Sequence, residues 1–171
     1  MPELPEYMYQ KERLIDPEFT PQESLFRRVP PFIWDNWKDD GDIELDAIQF
    51  PDMSVNREKY GPAESARWER GKYVDWGVVG FLVGDIPGEI PYQGAVIYRL
   101  KAAHKPERRN YPHSEVQAFE AKWESPQVEI HIDESTMPGV PLEAQQEWRE
   151  LLRRKCRIIL RPGEEAPNSQ R

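Results

Sequence analysis

Apolar and polar positions along this chain follow two rhythms, a period of two through the middle and a helical period toward the end. Residues 24–29 (S-L-F-R-R-V) form the first apolar cluster, closed by Pro30 and Pro31. Ile43, Leu45 and Ala47 then alternate with acidic residues, as a half-buried strand does. Residues 53–57 (M-S-V-N-R) read as a short extended segment before Gly61-Pro62 breaks the chain. Pro62 suits the first turn of a helix over 63–69, which Gly71 would stop. Residues 73–83 are rich in Val, Trp, Phe and Tyr and end at Gly84-Asp85, the strongest strand pattern in the sequence. A second strand is predicted over 93–100, and the connection between them is long enough for an antiparallel return. These two strands are expected at the centre of the sheet.

For residues 112–123 two readings stay open. Val116, Phe119 and Trp123 have near-helical spacing, whereas an extended chain would put Tyr111, His113 and Glu115 on one face. Residues 127–133 (Q-V-E-I-H-I-D) alternate as a strand. The clearest helix is predicted over 142–156, opened by Pro141, with Leu142, Trp148, Leu151 and Leu152 on one apolar side. Glutamates fill its first half, and Arg153, Arg154, Lys155 and Arg157 its end, the order that favours the helix dipole. Residues 158–160 suit a last short strand. The expected fold is therefore α+β: a single domain over 24–161 with a mostly antiparallel sheet, one C-terminal amphipathic helix and one or two short helices. Residues 1–23 hold four prolines among many charges and read as an irregular arm with at most one helical turn near 11–15. Residues 162–171 are polar and are expected to be disordered.

Composition narrows this picture. Leu, Ile, Val and Phe supply 37 of 171 residues, so the core is small, and six Trp, seven Tyr and six Phe make it aromatic. The net charge of −8 argues against nucleic acid as a bulk electrostatic partner. No apolar run approaches the length needed to cross a bilayer, and the start M-P-E-L-P-E lacks the basic and apolar regions of an export signal. One cysteine, Cys156, cannot form an internal disulfide. A cytoplasmic protein without a membrane partner is expected.

The segment 104–115 carries the most chemistry. It brings His104 and His113 within nine positions and adds Lys105, Arg108 and Arg109, a basic island in an acidic chain. If both imidazoles faced one cleft, His104, His113 and Glu115 would serve as catalytic groups, with Lys105, Arg108 and Arg109 clamping a substrate anion. The simpler reading is a polar hairpin loop with surface cations and His113 bonded to nearby backbone. The spacing matches no metal motif, and the acidic stretch around Gly41 fails the calcium-loop pattern at its third and twelfth positions. His131 and Asp133 would share a strand face. Arg27, Arg28, Ser54 and a later glutamate occur in the order used by some NAD-consuming ADP-ribosyl transferases, but without the flanking serine pattern or the paired glutamates. No cofactor is indicated, and Cys156 reads as buried.

The succession L-F-R-R-V, D-M-S-V-N-R and A-A-H-K-P-E-R-R-N-Y-P-H-S-E-V resembles small uncharacterised bacterial proteins over roughly residues 25–116. That resemblance implies a bacterial style and attaches no activity or site. Two functions remain in view: an accessory or protein-interaction module whose partner is another protein, and a small hydrolase or phosphate-processing enzyme built on His104, His113 and Glu115.

Overall fold

A computed structural model describes residues 5–9, 14–35, 43–67 and 73–164. Eight strands form one open sheet: β1 (Ser24–Val29), β2 (Met53–Arg57), β3 (Gly77–Leu82), β4 (Ile90–Tyr92), β5 (Val96–His104), β6 (His113–Lys122), β7 (Ser125–Ile132) and β8 (Arg157–Leu160). Their order is β4-β5-β6-β2-β1-β3-β8, with β7 paired to β6 alone. Every neighbouring pair is antiparallel. Helix α1 (Pro31–Asp35) is short, and α2 (Leu142–Arg153) is the long one, so the α+β class with a mostly antiparallel sheet holds. No helix among the described residues is long and apolar enough to cross a membrane.

The two strands expected at the centre are not neighbours. β3 lies between β1 and β8, β5 lies between β4 and β6, and the middle of the sheet is β6-β2-β1. The reason is β6. Residues 112–123 resolve as a strand rather than a helix because β5 pairs with nine of its residues, from Ser114 to Lys122. On its other side β2 takes the first half and β7 the second. A ladder on both sides satisfies the backbone more fully than an isolated amphipathic turn would.

Strand alternation gives the sheet two faces. Leu25, Val55, Phe81, Leu100, Val116 and Ala118 point to one face and share one core cluster with the buried side of α2. On α2 the buried residues are Ala144, Trp148 and Leu152, one every four positions. Trp148 is fully buried, with Tyr98 and Phe50 edge-on to its ring at 4.8 and 6.1 Å. Leu142, expected on this apolar side, is instead 66% exposed, since it lies at the solvent end of the first turn. Over β1, β3 and β8 the opposite face is covered by the 3-10 turn Ala63–Arg67, through Phe26, Ala66, Val78 and Leu160. Over β2, β6 and β5 that face is polar, with Ser54 opposite Glu115 and Lys101 opposite Gln117.

Two predicted elements change type. The alternating segment at 43–47 is not a strand: Leu45–Ala47 is a 3-10 turn. Its carbonyls are taken by α2, Arg149 donating to Ile48 and Leu45 and Arg153 to Ile43, so no strand ladder is needed. The helix expected over 63–69 is a five-residue 3-10 turn, Ala63–Arg67. The turn predicted near 11–15 and the tail beyond residue 164 lie largely outside the described residues.

The arginines at the end of α2 have local partners. Arg153 and Arg154 both bond Glu150, one turn back, and hold its carboxyl down to about 2. The packing separates two apolar residues of one helix. Trp148→Ala should lower the unfolding free energy by about 3–5 kcal/mol, and Leu142→Ser should change it by less than about 0.5 kcal/mol. Urea denaturation of the two variants measures the difference.

Candidate functional site

Register decides the fate of the histidine pair. His104 is opposite Ser114 in the β5–β6 ladder, so His104 and the adjacent His113 project from opposite faces of the sheet. They do not share a cleft. Lys105, Arg108 and Arg109 are exposed around the tight turn formed by Glu107 and Asn110.

His104 is built into the structure. It is 2% exposed, its Nδ1 accepts from the Asp16 backbone N–H at 2.9 Å, and its Nε2 donates to the Tyr111 carbonyl at 2.8 Å. The carbonyl can only accept and the amide can only donate, so the ring is held neutral with the proton on Nε2. Tyr60 stacks on it at 5.5 Å and Tyr111 meets it edge-on at 4.9 Å. Burial holds its pKa below the usual histidine value, and the nearby Arg57 charge pushes the same way. With both nitrogens engaged, His104 has no free position from which to act on a substrate.

The segment that supplies Asp16 is irregular, yet it is docked. Arg57, fully buried at the end of β2, makes paired hydrogen bonds to the Glu23 carboxylate at 2.8 Å. It also donates to the carbonyls of Asp16 and Glu18, and Phe19 covers its guanidinium at 3.9 Å. Lys59 and Tyr60 both bond the Asp16 carboxylate and hold its pKa well below the usual range.

His113 occupies the polar face. It is 4% exposed, and its Nδ1 lies 2.7 Å from the Lys105 carbonyl, which requires the proton on Nδ1. In the neutral ring Nε2 is then an acceptor, and Ser54 Oγ lies 3.3 Å from it. Glu107 Oε1 is 3.6 Å from the same nitrogen. A buried amide network sets this arrangement: Asn56 donates to Ser65 and Asn110, and Asn110 donates back to Asn56, fixing the 107–110 turn against β2. Glu115 is the register partner of Ser54 and accepts from Gln117.

Beside Ser54 opens a cavity of ≈ 250 Å³ lined by Arg27, Arg28, Asp52, Tyr73 and Trp76 as well as by Ser54 itself. Asp52, in the left-handed backbone region at φ 54°, places its carboxylate 2.8 Å from His131 Nε2. His131 therefore pairs with Asp52, whereas Asp133 instead caps the following turn through Ser135 and Thr136. Among the described residues no group of three His, Cys, Asp or Glu side chains is placed to hold a metal ion. Burial pushes the Cys156 thiol up to about 12, which removes it as a nucleophile near neutral pH.

In the sequence Arg27, Arg28 and Ser54 stand out only as part of an arginine–serine–glutamate order, and nothing there pairs Ser54 with His113. Their meeting depends on the β2–β6 ladder, which brings Ser54 and His113, 59 residues apart, into contact. The same ladder system gives His104 a pH signature. A histidine whose folded pKa is lowered adds stability above about pH 6.5, and that stability is lost as the pH falls through the folded pKa. Wild-type protein should therefore lose urea stability between pH 7.5 and 5.5, and His104→Gln should flatten that dependence. An unchanged pH slope in the variant contradicts the assignment. No protein-family profile, no curated protein and no solved structure matches the chain.

Proposed function

We propose that the chain is a small hydrolase that attacks an ester or phosphoester with Ser54, using His113 as general base. The observation that carries this reading is the contact between Ser54 Oγ and His113 Nε2 at 3.3 Å, with Nδ1 tied to the Lys105 carbonyl. A nucleophilic hydroxyl beside an oriented base is the recurring arrangement for covalent catalysis, and it tightens once substrate is bound. As Oγ bonds the substrate carbon or phosphorus, its proton passes to Nε2, and the imidazolium returns that proton to the leaving oxygen. Water then repeats the sequence in reverse. Glu107, 3.6 Å from Nε2, stabilises the imidazolium while it exists. The orienting acceptor is a backbone carbonyl in place of the usual carboxylate. Within the expected trio this reading keeps His113, keeps Glu115 as the neighbour of Ser54, and gives His104 a structural part.

A second reading, an accessory module that binds another protein, draws on β7. Among the described residues this strand pairs on one side alone, and Val128 and Ile130 are 59% and 65% exposed along it. The partner would add a strand to that edge.

A fluorophosphonate probe separates the two. Ser54 should be labelled in the native protein at neutral pH, and Ser54→Ala should abolish the label. His113→Gln should slow labelling by about 10²–10⁴-fold. Labelling spread evenly over the serines, unaffected by either substitution in a folded protein, overturns the hydrolase reading.

A further inference from the structure

Among the described residues β7 is paired on one side only, and its open edge carries an uncovered part of the core face. Ile132 is 2% exposed, whereas Ile130 and Val128, next along the same face, are 65% and 59% exposed. The apolar face therefore runs past its cover as the strand proceeds away from the core. Glu129 and His131 lie on the opposite face and are held there by their own chain. Glu129 accepts from Arg99 at 2.9 Å and from Lys101, and His131 pairs with Asp52 at 2.8 Å. Open edges are ordinarily blunted by lysine or proline, and residues 127–132 contain neither.

The order of residues on this edge selects how it can pair with itself. In an antiparallel pair directly opposite residues share a face, so a two-fold axis keeps Val128, Ile130 and Ile132 of both copies together. A slip of one residue would set apolar positions against charged ones. Glu129 opposite Glu129, or Glu129 opposite Asp133, puts like charges face to face. Val128 opposite Val128 brings Pro126, which has no N–H, into the ladder. One register avoids all of these. With Ile130 opposite Ile130, Val128 meets Ile132 on the core face and Glu129 meets His131 on the polar face. Each of these two pairs forms twice about the axis, and Pro126 falls beyond the paired span.

We propose that the β7 edge is the docking surface for a second copy of this chain, β7 against β7, with Ile130 facing Ile130 across a two-fold axis. The second copy takes up the row of backbone donors and acceptors on the free edge and covers Val128 and Ile130. Because the contact is self-complementary, it closes at two copies and leaves no further β7 edge open. The proposal rests on the second reading above, whose partner it names as this same chain, and it needs nothing from Ser54 or His113.

The test is sedimentation equilibrium of the full chain, joined to cysteine cross-linking. The wild-type chain should be dimeric at about 100 µM, the modest affinity of a short paired edge. Ile130→Lys sets like charges at the axis and should weaken the dimer at least about tenfold. Leu14→Lys, at an equally exposed apolar position in the arm, should leave it unchanged. Ile130→Cys should cross-link to itself under mild oxidation, and Val128→Cys should not, since it faces Ile132 instead. Cys156 does not compete, its thiol being pushed up to about 12. A monomer at that concentration, or cross-linking through Val128→Cys in place of Ile130→Cys, overturns the proposal. Hydrogen exchange of the β7 amides then tells the two failures apart. In a monomer, fast exchange at alternate residues leaves the edge open to a different protein, whereas protection throughout shows it closed within the chain and removes the second reading as well.

Discussion

A single guanidinium sealed inside the protein holds the chain's irregular first part to its sheet. Arg57 ends β2 with no exposed surface and gathers Glu23, the carbonyls of Asp16 and Glu18, and the Phe19 ring. A buried charge stripped of its partners costs several kcal/mol, so segment 16–23 stays docked even though it has no helix or strand of its own below residue 24. The docked segment then presents the Asp16 amide to His104 and its carboxylate to Lys59 and Tyr60. One ion pair thereby ties the arm, β2 and the end of β5 into a single unit.

Alternation along β2 divides structure from chemistry. Met53, Val55 and Arg57 face the core side, whereas Ser54 and Asn56 face the other. The strand that is fixed by a buried cation on one face therefore offers a serine on a rigid support on the opposite one. The two histidines follow the same division. His104 has both nitrogens committed to backbone groups, and His113 has one committed and one directed at a hydroxyl. Nine positions apart in sequence, they differ in role because neighbouring positions of a paired ladder look in opposite directions.

The sequence made the local features legible wherever one rhythm prevailed. The apolar cluster at 24–29, the extended segment at 53–57 and the amphipathic pattern over 142–156 each correspond to an element. It misled where a long-range partner overrode the local pattern. At 43–47 the arginines of α2, about a hundred positions away, take the carbonyls that a strand would have paired. At 112–123 an ambiguous segment became the most heavily paired strand because three others converge on it. The candidate site was legible only in part for the same reason. The basic, histidine-bearing loop stood out by composition, but Ser54, Arg27 and Arg28 acquire meaning only through strand pairing and a shared cavity.

The account rests on two histidines holding opposite tautomers, which long-range ¹H–¹⁵N correlation of imidazole-labelled protein reads directly. His104 is predicted to carry its proton on Nε2, and the neutral ring of His113 is predicted to carry its proton on Nδ1. A neutral His113 with its proton on Nε2 would contradict the account, because that nitrogen could then accept nothing from Ser54.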